Sequence, residues 1–165
     1  MKPIFILIRG NSGSGKTVLA NKLQQHWGYE TCLLLHQDVL RRDILHANDL
    51  QGTPAISLIE SLVKWGLQQD KIVILEGILR KDVYGEMLEN LVNHYRDRTL
   101  VYYLDVPFAL TVDHNQNKAH PFSTSELKRW WREHDYLSPH DRRLADGDTV
   151  SFYTQIMQDS RHLTS

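Results

Sequence analysis

The chain has 165 residues, a net charge of −1 at neutral pH and a single cysteine. This length suits one domain with a substantial core, so we expect residues 1–165 to form a single domain. The near-neutral charge argues against long nucleic acids and anionic membranes as partners, and no apolar stretch approaches the roughly 20 residues of a membrane span. Because Cys32 is alone, it has no partner for an internal disulfide, which indicates a reducing, cytoplasmic environment.

The first predicted strand, Ile4–Ile8, leads into a glycine-rich loop. Residues 10–17 read Gly-Asn-Ser-Gly-Ser-Gly-Lys-Thr, a complete G-x-x-x-x-G-K-[ST] phosphate-binding motif that a helical pattern follows. The loop amides and the helix N-terminus bind phosphate oxygens, while Lys16 is expected to contact the β- and γ-phosphates and Thr17 to bind Mg²⁺. The predicted nucleotide-binding residues are Asn11, Ser12, Gly13, Ser14, Gly15, Lys16, Thr17 and Val18. The predicted cofactors are ATP, or else GTP, and Mg²⁺.

Acidic and basic side chains follow the second predicted strand, Thr31–Leu35. Ligands gather at the carboxyl ends of parallel strands. At this edge Asp38 can accept the proton of an attacking hydroxyl, and Arg41 or Arg42, one turn later, can hold an anionic substrate. A structural interpretation stays open beside this one, in which Asp38 caps the next helix and Arg42 is its i,i+4 ion-pair partner.

The third predicted strand, Lys71–Leu75, ends in Glu76 and Gly77. Phosphate-loop proteins often place a metal-binding carboxylate at the end of an apolar strand. Glu76 is therefore expected to hold Mg²⁺ together with Thr17, or to bond to the acceptor, and Gly77 lets a ligand approach the backbone closely. The predicted substrate-binding residues are Asp38, Arg41, Arg42, Glu76 and Gly77, and the predicted metal ligands are Thr17 and Glu76.

A polar segment follows the fourth predicted strand, Leu100–Leu104. Within it, Ser123 and Glu126 form a capping-box pattern that opens a charged helix over about Thr124–His134. We expect a lid segment at about residues 113–135 that closes over the phosphates.

Cations in this lid segment can neutralise the charge that develops on a phosphoryl group during transfer. Lys118, Arg129 and Arg132 are the candidates, and the sequence does not choose among them. The predicted catalytic residues are Lys16, Asp38, Arg41 and Arg129.

The four strands alternate with helical patterns, which predicts an α/β fold with right-handed crossovers. These patterns cover Lys16–Trp27, Val39–His46, Ala55–Gln69 and Lys81–Tyr95. A fifth, edge strand is expected at either Arg142–Leu144 or Thr149–Tyr153, with a short final helix near Gln155. Together with the loop motif, this order predicts a three-layer P-loop NTPase fold. Its parallel sheet has about five strands, with helices on both faces and a helical lid.

The chain resembles the small P-loop kinases related to phage polynucleotide kinase, chloramphenicol phosphotransferase and the zeta toxins. It also resembles bacterial proteins labelled uridine kinase or AAA-family ATPase. The resemblance runs from Ile4 to about Leu137. It is carried by Gly10–Thr17, by Asp38 with Arg41 three residues later, by Glu76-Gly77 and by the run from Trp130 to Tyr136. It implies that Asp38 is the general base and that Arg41 or Arg42 holds the acceptor. One departure is that the stretch from Phe108 to Asn117, where such kinases usually carry a lid arginine, contains none.

The sequence therefore predicts Mg-ATP-dependent phosphoryl transfer to a hydroxyl of a small molecule, a nucleoside or a nucleic-acid end. Because the lid arginine is missing, a second hypothesis stays open, which is an ATP-binding regulatory or toxin-like module with weak ATPase activity. The near-neutral charge favours a small-molecule or nucleoside-type acceptor over long nucleic acid. The identity of the acceptor, the choice between ATP and GTP, and the oligomeric state are left open.

Overall fold

The computed structural model describes residues 1–165 and contains five parallel strands in the order β2-β3-β1-β4-β5. The strands are β1 (Phe5–Gly10), β2 (Cys32–His36), β3 (Ile72–Gly77), β4 (Thr99–Leu104) and β5 (Arg142–Leu144). The helices are α1 (Lys16–Trp27), α2 (Ala55–Gln68), α3 (Lys81–His94), α4 (Phe108–Gln116), α5 (Thr124–Trp130) and α6 (Thr149–Thr164). A π-helical turn covers Val39–Ile44, and a single 3₁₀ turn covers Arg96–Arg98.

The apolar side chains of the central strand divide between two cores. Phe5 and Leu7 belong to a core formed with α2 and α3. Ile6 and Ile8 belong to a core formed with α1 and α6 on the other face of the sheet. This alternation along β1 buries both faces of the sheet, as a parallel sheet requires, and the three-layer prediction is confirmed. Cys32 is fully buried in the second core.

The helical pattern predicted over Val39–His46 forms a π-helical turn instead of an α-helix. The amide of Leu45 donates to the carbonyl of Leu40 at 3.1 Å, which is an i→i+5 bond. Such turns frequently lie at functional sites because they shift the side chains that follow. In this chain the turn carries Arg41 and Arg42.

The fifth strand forms at Arg142–Leu144, the first of its two expected positions. Thr149–Tyr153, the second position, is the start of a 16-residue helix, so the predicted short final helix was too short. The reason is a capping box, in which the Asp148 carboxylate accepts from the Ser151 amide at 2.9 Å and the Ser151 hydroxyl accepts from the Asp148 amide at 2.9 Å. This cap outweighs the strand preference of the threonine, valine and aromatic residues that follow it.

The predicted capping box at Ser123 and Glu126 is present and opens α5. The helix ends at Trp130, four residues before the predicted end at His134, because the backbone of Arg132 bonds to the side chain of Asn11 instead. None of the helices combines the length and the apolarity needed to cross a membrane.

Candidate functional site

The glycine-rich loop connects the central strand β1 to α1 at the carboxyl edge of the sheet. Gly13 and Gly15 have φ angles of 78° and 96°, in the left-handed region that favours glycine. A Cβ atom on Gly13 would lie 2.5 Å from the carbonyl oxygen of Thr111 on α4, whereas a Cβ on Gly15 would meet nothing within 4 Å. The loop therefore packs tightly on α4 at one glycine and opens into free space at the other.

That free space is a cavity of about 350 Å³, which we name the loop cavity. It is lined by Ser12, Gly13, Gly15, Lys16, Thr17, Val18, Asp38, Glu76, Gly77, Ile78, His114, Asn117, Lys118, Phe122 and Thr149. Lys16 is buried and its Nζ donates to the carbonyl of Asn11 at 2.9 Å. Burial lowers the pKa of Lys16, and the negative charges of Glu76 and Asp38 offset part of this shift.

The side chains of Thr17, Glu76 and His36 form a hydrogen-bonded cluster at the loop cavity. Thr17 Oγ1 donates to Glu76 Oε1 at 3.2 Å, and His36 Nδ1 lies 2.7 Å from the same carboxylate oxygen. Glu76 and His36 are register partners at the ends of β3 and β2, so the sheet itself brings them together. A hydroxyl and a carboxylate are ligands that Mg²⁺ prefers, and the pair Thr17 and Glu76 fits that ion.

Asp38 begins the π-helical turn without capping it. Its carboxylate makes no capping hydrogen bond, and Arg41 Nη2 lies 3.8 Å from Asp38 Oδ1. The capping role considered from the sequence is thus absent, as is an ion pair between Asp38 and Arg42. Although it pairs with Arg41 at this distance, the Asp38 carboxylate is accessible to a ligand because 58% of its side chain is exposed.

A second cavity, of about 260 Å³, adjoins the first, and we name it the arginine cavity. It is lined by Ser12, Asp38, Arg41, Arg42, Asp49, Ile78, Arg80, Phe122, Arg129, Trp130 and Arg132. Four of these residues also line the loop cavity, namely Ser12, Asp38, Ile78 and Phe122. Asp38 therefore lies where the two cavities meet.

Both ends of the lid segment, residues 113–135, contact the β1 side of the site. At its start, His114 Nδ1 lies 2.6 Å from the carbonyl oxygen of Gly13. At its end, the Asn11 amide exchanges two hydrogen bonds with the backbone of Arg132, at 2.6 and 2.8 Å. Lys118, between them, lines the loop cavity, and its Nζ lies 5.3 Å from the centre of the Phe122 ring.

The lid segment is also tied to the core through Arg9, which is fully buried at the end of β1. Its Nη2 lies 3.0 Å from Asp135 Oδ2, and its Nε and Nη2 donate to the carbonyl of Leu79 at 3.1 and 2.7 Å. Burial lowers the pKa of Arg9, and the charge of Asp135 opposes that shift. The pair therefore joins the central strand, the loop after β3 and the end of the lid segment.

Most of the site residues that were predicted from the sequence fall into two groups, one in each cavity. Ser12, Gly13, Gly15, Lys16, Thr17, Val18, Glu76 and Gly77 line the loop cavity, and Arg41, Arg42 and Arg129 line the arginine cavity. Asn11 and Ser14 line neither cavity. The Asn11 amide bonds to Arg132, and Ser14 is buried with its hydroxyl unpartnered.

Sequence reasoning did not single out His36, Asp49, Arg80 or Arg9 as parts of this site. For His36 and Arg80 a signal was present, because each comes at or just after the carboxyl end of a strand beside a predicted site residue. Asp49 carries no comparable signal, because it lies in an irregular stretch between the π-helical turn and α2.

Sequence comparisons relate this chain to known families of P-loop proteins. The zeta toxin family model matches residues 1–82. A segment of 45 residues is 42% identical to the uridine kinase of Geobacillus sp. (strain WCH70). The matched segment covers 27% of this chain and only 21% of that relative's length.

Solved structures match nearly the whole chain at low sequence identity. The Mycobacterium tuberculosis APS kinase in complex with AMPPNP and APS has a TM-score of 0.71 at 14% identity, covering 95% of this chain and 96% of that one. The gluconokinase from Sinorhizobium meliloti 1021 has a TM-score of 0.68 at 15% identity, covering 98% and 93%. Chaetomium thermophilum Kti12 in complex with ADP-AlF3 has a TM-score of 0.63 at 18% identity, covering 93% and 97%.

At these identities the solved structures establish the fold, and the sequence matches establish the resemblance. The predicted P-loop NTPase fold is confirmed, with its five-stranded parallel sheet between two layers of helices. The chain has the fold of the P-loop kinases and resembles the small members of that group, including the zeta toxins and a uridine kinase.

Proposed function

We propose that this protein is a Mg-ATP-dependent kinase that transfers a phosphoryl group to a hydroxyl of a small-molecule or nucleoside-type acceptor. The observation that carries the proposal is the position of Asp38, whose side chain lines both the loop cavity and the arginine cavity. A base that removes the proton of the acceptor must lie within hydrogen-bond reach of the acceptor hydroxyl, beside the point where donor and acceptor meet. ATP as the donor is supported by the AMPPNP and ADP-AlF3 bound in two structures of the same fold.

In this proposal the loop cavity binds the ATP phosphates. The amides from Gly13 to Thr17 bind the phosphate oxygens, and Lys16 exchanges its bond to the Asn11 carbonyl for bonds to the phosphates. Thr17 and Glu76 hold Mg²⁺, which neutralises negative charge on the phosphates when it is bound. His36 holds the Glu76 carboxylate in place through its 2.7 Å contact.

The transfer step uses Asp38 as the proton acceptor. The acceptor oxygen bonds to the γ-phosphorus while the bond from that phosphorus to the β,γ-bridging oxygen breaks, and the hydroxyl proton passes to the Asp38 carboxylate. ADP and a phosphate ester result. Positioning and charge neutralisation supply most of the acceleration in such a reaction, so removing the base alone slows transfer without abolishing nucleotide binding.

The test is a γ-phosphate transfer assay with Mg²⁺-ATP across a panel of alcohols, run with wild type, Asp38→Asn and Asp43→Asn. Loss of a general base typically costs about 10²- to 10⁴-fold in rate, and we expect that loss in kcat for Asp38→Asn. Asp43 is the matched control because it lies on the same π-helical turn, is exposed and lines neither cavity. We expect Asp43→Asn to keep wild-type rates.

The outcomes separate the two hypotheses drawn from the sequence. Transfer that is lost in Asp38→Asn but kept in Asp43→Asn supports the kinase. Binding of ATP with slow phosphate release, no labelled acceptor and no effect of Asp38→Asn contradicts it. That result would favour the ATP-binding regulatory or toxin-like module, to which the zeta toxin match over residues 1–82 also lends support.

A further inference from the structure

We propose that the acceptor is a small alcohol that already carries a phosphate group, and that Arg42, Arg129 and Arg132 bind this group in the arginine cavity. The inference rests on the proposed function and names the class of its second substrate. The arginine cavity has an excess of positive charge, because five arginines and only two aspartates line it.

Two of the five guanidinium groups are already paired with carboxylates. Arg80 Nη2 lies 2.7 Å from Asp82 Oδ2. Arg41 donates to the Ala47 carbonyl at 3.1 Å, and its Nε lies 3.7 Å from Asp49 Oδ1. These contacts fix both side chains and compensate their charges.

The Asp49 carboxylate is itself held in place from the core side. It accepts a hydrogen bond of 2.6 Å from Tyr84 Oη, whose ring is fully buried, and the side-chain amide of Gln37 lies 3.1 Å from the same hydroxyl. Burial raises the pKa of the Tyr84 hydroxyl, so this group stays a donor at neutral pH. Asp49 is therefore held close to Arg41, and its charge also acts on Arg80.

The remaining three arginines are not paired with a carboxylate at contact distance, although the negative charges of Asp82 and Glu126 interact with Arg132 and Arg129. Arg42, Arg129 and Arg132 form no salt bridge, whereas Arg41 and Arg80 each do. Only Arg129 has another side-chain partner of note, the Trp130 ring, whose centre is 5.7 Å from its guanidinium carbon. Three like charges around one cavity repel one another, and an anion that enters the cavity removes this repulsion.

The chemistry of the guanidinium group favours phosphate over other anions. Its planar set of N–H donors binds phosphate oxygens in pairs, and several arginines can share the oxygens of one dianion. The cavity volume of about 260 Å³ is slightly below the range of about 300 to 1,000 Å³ that is typical of small-molecule sites, so a small ligand is indicated. A small phosphate ester fits these two constraints, and Asp38 lies at the edge of the cavity to receive the proton of its free hydroxyl.

The test compares matched ligands that differ only in the charged group. Glycerol, glycerate and glycerol 3-phosphate share one carbon skeleton, and adenosine and adenosine 3′-monophosphate share another. Affinities are measured by titration calorimetry with the loop cavity saturated by Mg-AMPPNP, so that phosphate cannot occupy the loop instead. Because hydrogen bonds to charged groups are stronger than those between neutral groups, we expect the phosphorylated member of at least one set to bind at least ~10-fold more tightly than its neutral counterpart.

Variants then locate the phosphate group. We expect Arg129→Gln and Arg132→Gln each to weaken the phosphorylated ligand by ~10-fold and the neutral ligand by less than about threefold. Arg161→Gln is the control, because Arg161 is an exposed arginine on α6 that lines neither cavity, and it should bind like wild type. Equal binding of neutral and phosphorylated ligands, tighter binding of glycerate than of glycerol 3-phosphate, or variants that weaken only AMPPNP would each overturn the proposal.

Failure of this inference is distinguishable from failure of the proposed function. Phosphoryl transfer to neutral alcohols without preference for phosphorylated ones would contradict the anionic acceptor and leave the kinase intact. Tight binding of the phosphate ester without any transfer would support the anion site and contradict the kinase.

Discussion

Lys118 is the only one of the three lid cations considered from the sequence that lines the loop cavity, whereas Arg129 and Arg132 line the arginine cavity. Its positive charge also contributes to the lowered pKa of Lys16, after the larger effect of burial. In this chain α4 supplies no arginine, and Lys118 follows directly after its C-terminal end. We therefore expect Lys118 to stabilise the charge that develops on the transferred phosphoryl group.

Replacing Lys118 by Gln should lower kcat for phosphoryl transfer about 100-fold, since loss of one positioned donor to a developing charge typically costs about 10²- to 10³-fold. The KM for ATP should change by less than about threefold, because the interaction strengthens in the transition state. Steady-state kinetics at varied ATP concentration measure both constants. Lys128→Gln, at an exposed lysine of α5 that lines neither cavity, should behave like wild type. A rise in KM with unchanged kcat would show that Lys118 only holds the nucleotide.

Side chains at strand ends were the part of the site that the sequence revealed most directly. Asp38 and Glu76 follow apolar runs, and parallel strands bring such positions to one edge, so their proximity to the loop was predictable. The sequence did not resolve whether Asp38 caps the next helix, because an aspartate just before a helix is compatible with both a capping role and a general-base role. The turn after Asp38 is π-helical and is not capped by the Asp38 carboxylate, an outcome that depends on tertiary packing.

At the scale of elements, the positions of β1 to β4 were predictable to within two residues because each of these strands is an apolar run. The ends of α1, α2 and α3 lay within one residue of their predicted positions, whereas the bounds of α5 and α6 were less predictable. Local capping groups defined the start of α5 and of α6, and the Ser123 box was visible in the sequence. The end of α5 depends on Asn11, which lies 121 residues away in the sequence, and no local pattern reports such a contact.

The Arg9–Asp135 pair also links distant elements, and its energetic role can be measured. Asp135→Ala would leave the fully buried Arg9 guanidinium without its counter-ion. Breaking a buried pair typically costs about 3 to 5 kcal/mol, and we expect about 2 kcal/mol here because the Asp135 side chain is 25% exposed and screened by water. Urea denaturation at neutral pH measures this loss in the free energy of unfolding.

The control for this experiment is Asp113→Ala, at an exposed aspartate on α4 that forms no salt bridge. It should change the free energy of unfolding by less than about 0.5 kcal/mol. A loss of similar size in both variants would mean that the Arg9–Asp135 charge pair contributes nothing specific. In that case the backbone carbonyls of Leu79 and residue 135 are enough to compensate the Arg9 charge.

At the scale of the whole molecule, the lid segment is attached to the site at both ends. Its start contacts the loop through His114, and its end is held by Asn11 and Arg9. Between these points a local link joins Asn115 to Phe122, with two hydrogen bonds of 2.6 and 2.9 Å, and Phe122 packs on Trp130. Residues 117–130 are therefore linked to one another, and they place Lys118 at the loop cavity and Arg129 at the arginine cavity.

This arrangement predicts where nucleotide binding changes the mobility of the chain. We expect Mg-AMPPNP to slow amide hydrogen exchange over residues 117–130, because Lys118 and Asn117 gain a ligand in the loop cavity. Residues 131–136 should change little, since the Asn11 and Asp135 contacts hold them before nucleotide binds. Exchange followed by mass spectrometry on peptides from these two ranges gives the comparison.

Asn11→Ala supplies the decisive variant for the lid, because it removes the two hydrogen bonds to Arg132 and leaves the glycines and Lys16 of the loop unchanged. Without nucleotide, exchange over residues 131–136 should become faster in this variant, while the peptides of β1 and β3 keep their wild-type protection. With Mg-AMPPNP, the slowing over residues 117–130 should be smaller than in wild type, since a lid held at one end closes less often. Uniform slowing of residues 113–136 on nucleotide binding in wild type, or no effect of Asn11→Ala, would mean that the lid segment does not move as a unit pinned at its C-terminal end.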